Sequence, residues 1–204
     1  MHFQAALFFT LVGTLLSAPV SQKLKGMDSK TIGEAQSLIS KILQEIPETH
    51  AAWITSKSLT LGGSTDSLQF LKSMIPSAPI LPNITEISSL ETGLVNMSTG
   101  LQLHLNLLNK LSEATSLPKT EQVTELQADI EELLEILDKL QIKAGFNASK
   151  EHSHGPEQDL VKNLTSEYKT QAAAHLTLHQ LQEFSREVLQ RIRDILLMTS
   201  GTVN

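Results

Sequence analysis

The segment KTEQVTELQADIEELLEILDKLQI, Lys119 to Ile142, decides how this chain folds. Its apolar residues Val123, Leu126, Ile130, Leu133, Leu137 and Leu140 recur at steps of three and four. That spacing puts all six on one stripe of an α-helix. Leu134 and Ile136 widen the stripe to the breadth of a face turned to a globular core. The opposite side is acidic, with Glu121, Glu125, Asp129, Glu131, Glu132, Glu135 and Asp138 against Lys119 and Lys139. One face must be buried, and the other must meet water or a basic partner.

The rest of the chain supplies material to bury that face. At 204 residues it can build one domain with a substantial core. One Trp, one Tyr and six Phe, set against abundant Leu, suit helix packing better than sheet. A net charge of −6 without a sizeable Lys/Arg cluster excludes a nucleic-acid-binding footprint. There is no cysteine, so stability must come from apolar burial alone.

Residues 1–18, MHFQAALFFTLVGTLLSA, carry no charged side chain and an apolar run from Ala5 to Leu16, with Ser17, Ala18 and Pro19 following. This reads as a secretory signal peptide, leaving 19–204 as the mature domain. The run is too short to cross ~30 Å of hydrocarbon. No later segment spans a bilayer, so the expectation is a secreted, extracellular protein without membrane insertion. The sequons at Asn83, Asn96, Asn147 and Asn163 agree with export and mark candidate glycosylation sites.

Three further helices follow from the same periodicity. Ile32, Ala35, Ile39, Ile42 and Ile46 predict a first helix, capped by Asp28 or Ser29 and ending at Ile46-Pro47. Residues 48–85 read as a long connection broken by Gly62-Gly63 and Pro76, Pro79 and Pro82, with Trp53 in its early part. Within it, Leu68, Phe70 and Leu71 predict one short helical segment capped by Asp66 or Ser67. A second long helix is expected over about 85–113, and a last one from between Asp159 and Ser166 to about Met198. Its inward residues would be Leu178, Leu181, Phe184 or Ser185, Val188, Ile192 and Ile195.

Link lengths constrain direction. A helix of about 25 residues is ~37 Å long. The short link at 114–119 cannot travel that far, so the two helices it joins must be antiparallel. The links on either side can run the bundle's length. The expected fold is all-α, a four-helix bundle of up-up-down-down, long-chain cytokine type.

Enzyme signatures are missing. There is no cysteine nucleophile, Gly-x-Ser-x-Gly elbow, phosphate loop or dinucleotide fingerprint. His175 and His179 have metal-ligand spacing, but HLTLH lacks the Glu of a zinc hydrolase. His152 and His154 read as solvated loop residues. No enzymatic activity, metal or cofactor is expected.

Several stretches resemble the granulocyte colony-stimulating factor and interleukin-6 family. They are Ile75-Pro-Ser-Ala-Pro79, Leu94, Thr99-Gly100-Leu101, Leu107-Leu108, Leu111, Leu126-Gln127-Ala-Asp129-Ile130, and the last helix from His175 to Arg193. The likeness to granulocyte colony-stimulating factor is specific over Ile75–Leu140 and looser in the first helix and third link. It suggests a divergent, non-mammalian vertebrate member.

The resemblance implies a secreted hematopoietic growth factor that binds and dimerises a class I cytokine receptor, in a 2:2 complex. The response it implies is proliferation and differentiation of the granulocyte lineage, and immune signalling. It also implies a receptor surface on the outer faces of the first and third long helices. There the family's acids align with Asp129 and Glu132, beside Glu125. On the first helix the key position falls at Lys41, with Glu45 or Glu34 as alternatives a turn or more away. A second surface would involve Asp66 or Ser67. The family's usual disulfides are missing here. Two rival expectations are an interleukin-6-like cytokine, which would need a shared second receptor, and an exchangeable lipid-binding protein of amphipathic helices, whose 11- or 22-residue repeats are not evident.

Overall fold

The computed structural model describes residues 27–114, 116–146 and 164–200. The signal-peptide reading of 1–18, the sequons at Asn147 and Asn163, and His152 and His154 all lie outside the described residues. Within them the chain is all-helical, with α1 Ser29–Trp53, a short α2 Gln69–Lys72, α3 Ile87–Ser112, α4 Glu121–Lys143 and α5 Glu167–Ser200. A 3-10 turn, Asp66–Leu68, leads into α2.

Local chemistry fixes the helix ends. The Asp28 carboxylate accepts from the Thr31 N–H at 2.7 Å, the N-cap bond that opens α1. Glu86 and Ser89 form a reciprocal capping box at the start of α3. Thr120 caps α4, and the Ser166 hydroxyl accepts from the Lys169 N–H in the first turn of α5. Gly145, at φ +70°, lets the chain turn out of α4. The Phe146 N–H then reaches back to the Gln141 carbonyl at 3.0 Å, and the Phe146 ring is buried.

The predicted stop at Pro47 is corrected: α1 runs through Pro47 for six more residues. A proline interior to a helix loses one hydrogen bond and strains the preceding turn. Burial of Thr49, His50 and Trp53 on the same face offsets that cost, with Trp53 only 1% exposed. Trp53 is therefore a core residue of α1. The short segment also differs in its cap. Thr65 precedes the 3-10 turn without a side-chain cap bond, while the Asp66 carboxylate accepts from the Ser64 hydroxyl.

The apolar stripes meet in a single core. It includes the predicted α4 residues Val123, Leu126, Ile130, Leu133, Leu137 and Leu140 and the predicted α5 residues, Phe184 and Ser185 both being buried. α1 packs against α4 and α5, and α3 packs against the same two, so α4 and α5 each separate α1 from α3. Polar cross-links give the registers. Thr49 bonds the Gln122 carbonyl near one end of the α1–α4 seam, and Lys143 reaches Asp28 and Thr31 at the other. These helices are antiparallel. Gln127 with Asn109, and Gln141 with Ser98, make α3 and α4 antiparallel too, as the short link requires. His50 with His175, and Ser56 with Gln171, do the same for α1 and α5. From Thr170 to Leu178, α5 is buried on every side.

Candidate functional site: the seam between α1 and α4

Lys41 and Glu45 lie one turn apart on α1, on the flank that faces α4. The Lys41 ammonium donates to Asp129 Oδ1 at 2.8 Å and stands 2.7 Å from Oδ2. It is also 3.3 Å from Glu45 Oε1. One cation thus serves two carboxylates, and the cluster retains an excess negative charge. Glu45 Oε2 is buried without a hydrogen-bond partner. Burial, together with the neighbouring Asp129 carboxylate, raises the Glu45 pKa above its ordinary value. The Lys41 pKa is raised by its bond to Asp129.

This arrangement corrects the reading of Asp129 as an open acid on the outer face. Asp129 is only 7% exposed and is held by Lys41 from within the same chain. The reason is its place at the edge of the α4 stripe, between Leu126 and Leu133, where α1 covers it. Glu125 and Glu132, a turn before and after, are exposed. Glu34 is exposed further along α1 and lies 3.8 Å from Lys30.

The structure therefore brings Lys41, Glu45 and Asp129 together and leaves Glu125 and Glu132 open on the adjoining surface. It does not bring Asp66 and Ser67 to them. Those two residues are exposed at the turn before α2, which packs against α5. Of the two described sequons, Asn83 is exposed in a non-helical segment. Asn96 lies inside α3, and its amide nitrogen donates to the Ile80 carbonyl at 2.9 Å.

No protein-family model matches the chain, and a search of curated proteins finds no match. What the site can do must be read from its own chemistry. It offers negative charge beside a seam that is helical on both sides. A partner's guanidinium or ammonium groups would complement that surface.

Two polar features escaped the sequence reading. Pro47 reads as a stop and so leaves His50 in the connection, yet His50 is 8% exposed in α1 and its Nε2 lies 2.9 Å from His175 Nδ1. Gln171 ties the start of the first connection to α5, accepting from the Ser56 N–H and donating to the Thr55 hydroxyl, both at 2.8 Å. Neither pairing has a local signal, since the partners are more than a hundred positions apart. Beyond Pro47, a surface cleft of about 490 Å³ is lined by Leu61, Gly62, Gly63, His179, Gln182 and Arg186. Among the described residues, no group of three or more His, Cys, Asp or Glu side chains is placed to hold a metal ion. Nor is any described helix long and apolar enough to cross a membrane.

Proposed function

We propose that this chain is a secreted, glycosylated, non-enzymatic hematopoietic cytokine, a long-chain up-up-down-down bundle like granulocyte colony-stimulating factor. In this reading it holds two class I cytokine receptor chains in a 2:2 complex and drives the granulocyte lineage. The observation that carries the reading is the pairing of α1 with α4 through Lys41 and Asp129. It sets side by side the two helix faces that the sequence resemblance marks as a receptor surface. The three antiparallel registers and the position of α4 and α5 between α1 and α3 are those expected of such a bundle.

The mechanism is binding alone. Glu125 and Glu132 steer a basic receptor surface and set its orientation. The Lys41–Asp129 bond holds the two helices in fixed register beneath them, so little ordering cost falls on association. The apolar stripes face one another in the core, and the exposed large apolar residues Phe70, Ile80, Ile142, Tyr168 and Leu197 are scattered. That arrangement disfavours a lipid-exchanging helix protein.

The test is capture of the purified protein by cytokine-receptor ectodomains, with and without Glu125→Lys plus Glu132→Lys. The expected result is binding to a granulocyte colony-stimulating factor receptor-like ectodomain that weakens at least tenfold in the double variant, with its melting curve unchanged. Capture by no class I receptor ectodomain would overturn the proposal, and a requirement for a shared second receptor would move it to the interleukin-6-like class.

A further inference from the structure

Three imidazoles are buried in this bundle, and all three meet α5. His175 lies on α5 and is 2% exposed, and it bonds His50 of α1. His104 of α3 is 1% exposed and stacks on Phe184 of α5 at a centroid distance of 5.6 Å. Its Nδ1 lies 2.7 Å from the Gly100 carbonyl, an acceptor, so that nitrogen carries the proton. The other nitrogen, Nε2, is buried without a partner.

The His50–His175 pair cannot hold two protons, and His104 cannot take up one cheaply. The 2.9 Å contact between His50 Nε2 and His175 Nδ1 needs one donor and one acceptor. With both rings charged, two N–H groups would point at each other. A proton on His104 Nε2 would stand in the core with no acceptor. Among the described residues, no carboxylate is paired with these rings. Beside the His50–His175 pair, α4 contributes the Gln122 backbone carbonyl, which is bonded to Thr49. The first connection contributes Thr55 and Ser56, both engaged with Gln171. On α5, Glu167 is bonded to Gln171, and Glu183 lies 3.7 Å from the third histidine of that face, His179. On α1, Glu48 is exposed two residues before His50. No carboxylate of a described residue bonds to His50, His175 or His104. Among the described residues, the titrating groups that act on His175 are His50 and His179, both of which repel a proton.

We propose that α5 is the moving part of an acid-triggered switch: protonation of the His50–His175 pair and of His104 releases the contacts of α5 with both α1 and α3. The direction of titration agrees with the geometry. Burial holds His104 at about 4 and His175 at about 4, and lowers His50 as well. A histidine in the unfolded chain titrates near ~6.5. Its buried counterpart therefore contributes stability that is complete above that value and is lost as pH falls through the window toward ~4. In that window the opening constant rises roughly tenfold per pH unit for each imidazole that must charge. Glu45 acts in the opposite sense, since its raised pKa favours the folded state at lower pH, but its partners Lys41 and Asp129 lie on the α1–α4 seam.

Trp53, the single tryptophan, lies one turn from His50 on the same buried face of α1 and reports on the packing of that face. The experiment is a titration of the full chain from pH 7.5 to 4.5, following Trp53 emission and amide hydrogen exchange. The expected result is a red shift of Trp53, with loss of protection in α5 ahead of α4. A chain carrying His50→Gln, His175→Gln and His104→Phe should show a much shallower pH dependence. A wild-type Trp53 emission and α5 protection that hold constant to pH 4.5 would overturn the proposal. So would protection lost in all four long helices at once, or a triple variant with undiminished pH dependence. If the variant does not fold, the wild-type order of exchange decides alone.

Discussion

Phe184 lies against Gly100 so closely that a Cβ on Gly100 would stand 2.2 Å from the ring Cζ. This is the contact that brings α3 and α5 together at mid-height. Gly100→Ala would normally favour a helix by ~1 kcal/mol. Here it overpacks the core, which typically costs about 1–3 kcal/mol and rises with the shift demanded. The expected outcome is a net loss of stability in denaturant unfolding. Adding Phe184→Leu should recover much of it, because the two positions are coupled through one clash.

Glu45 competes with Asp129 for a single ammonium group, and its pKa is raised mainly by burial. A carboxyl with a raised folded pKa costs stability as pH climbs from the ordinary carboxylate range through the raised value. Glu45→Gln should therefore raise Tm at pH 7, and the gain should vanish near pH 4. Lys41→Met should lower Tm at pH 7, since it leaves both acids without their cation. Thermal melts of the two variants across pH 4–7 check both signs.

Pro47 removes one backbone hydrogen bond from the middle of α1, and its ring is exposed. Pro47→Ala restores the missing donor, while the freer unfolded chain takes back part of the gain. The expected net effect is about 1–2 kcal/mol of added stability, measured by denaturant unfolding. No gain would mean that the helix is already distorted to suit proline.

The two described sequons should differ when the chain is made by a secretory pathway. Asn83 has an exposed side chain on non-helical backbone, whereas Asn96 is half-buried in α3 with its amide nitrogen committed to Ile80. Site-resolved mass spectrometry should find glycan at Asn83 well in excess of Asn96. Higher occupancy at Asn96 would show that modification precedes the fold and ignores it.

Much of this was legible in the residues. Apolar steps of three and four located α1, α3, α4 and the later half of α5, because helix faces are written locally. Asp28 was legible as a cap for the same reason. What failed was whatever depended on a distant partner. Asp129 reads as an outward acid in its own helix, and only Lys41, 88 positions away, makes it a buried one. Pro47 reads as a stop, and only the packing of His50 and Trp53 carries α1 through it. The first third of α5, from Thr170 to Leu178, has no polar face to read because neighbours cover it all round.

The way α1 is covered has a consequence for how the molecule must be made. Its buried face rests on α4 and α5, both synthesised after α3. Its ties to them join residues 88 and 125 positions apart. At ~5–20 residues per second, His50 waits roughly 6–25 s for His175 to be polymerised. Through that interval Ile32, Ile39, Ile42 and Ile46 have no permanent partner. With no cysteine, no disulfide can hold an early intermediate through that interval.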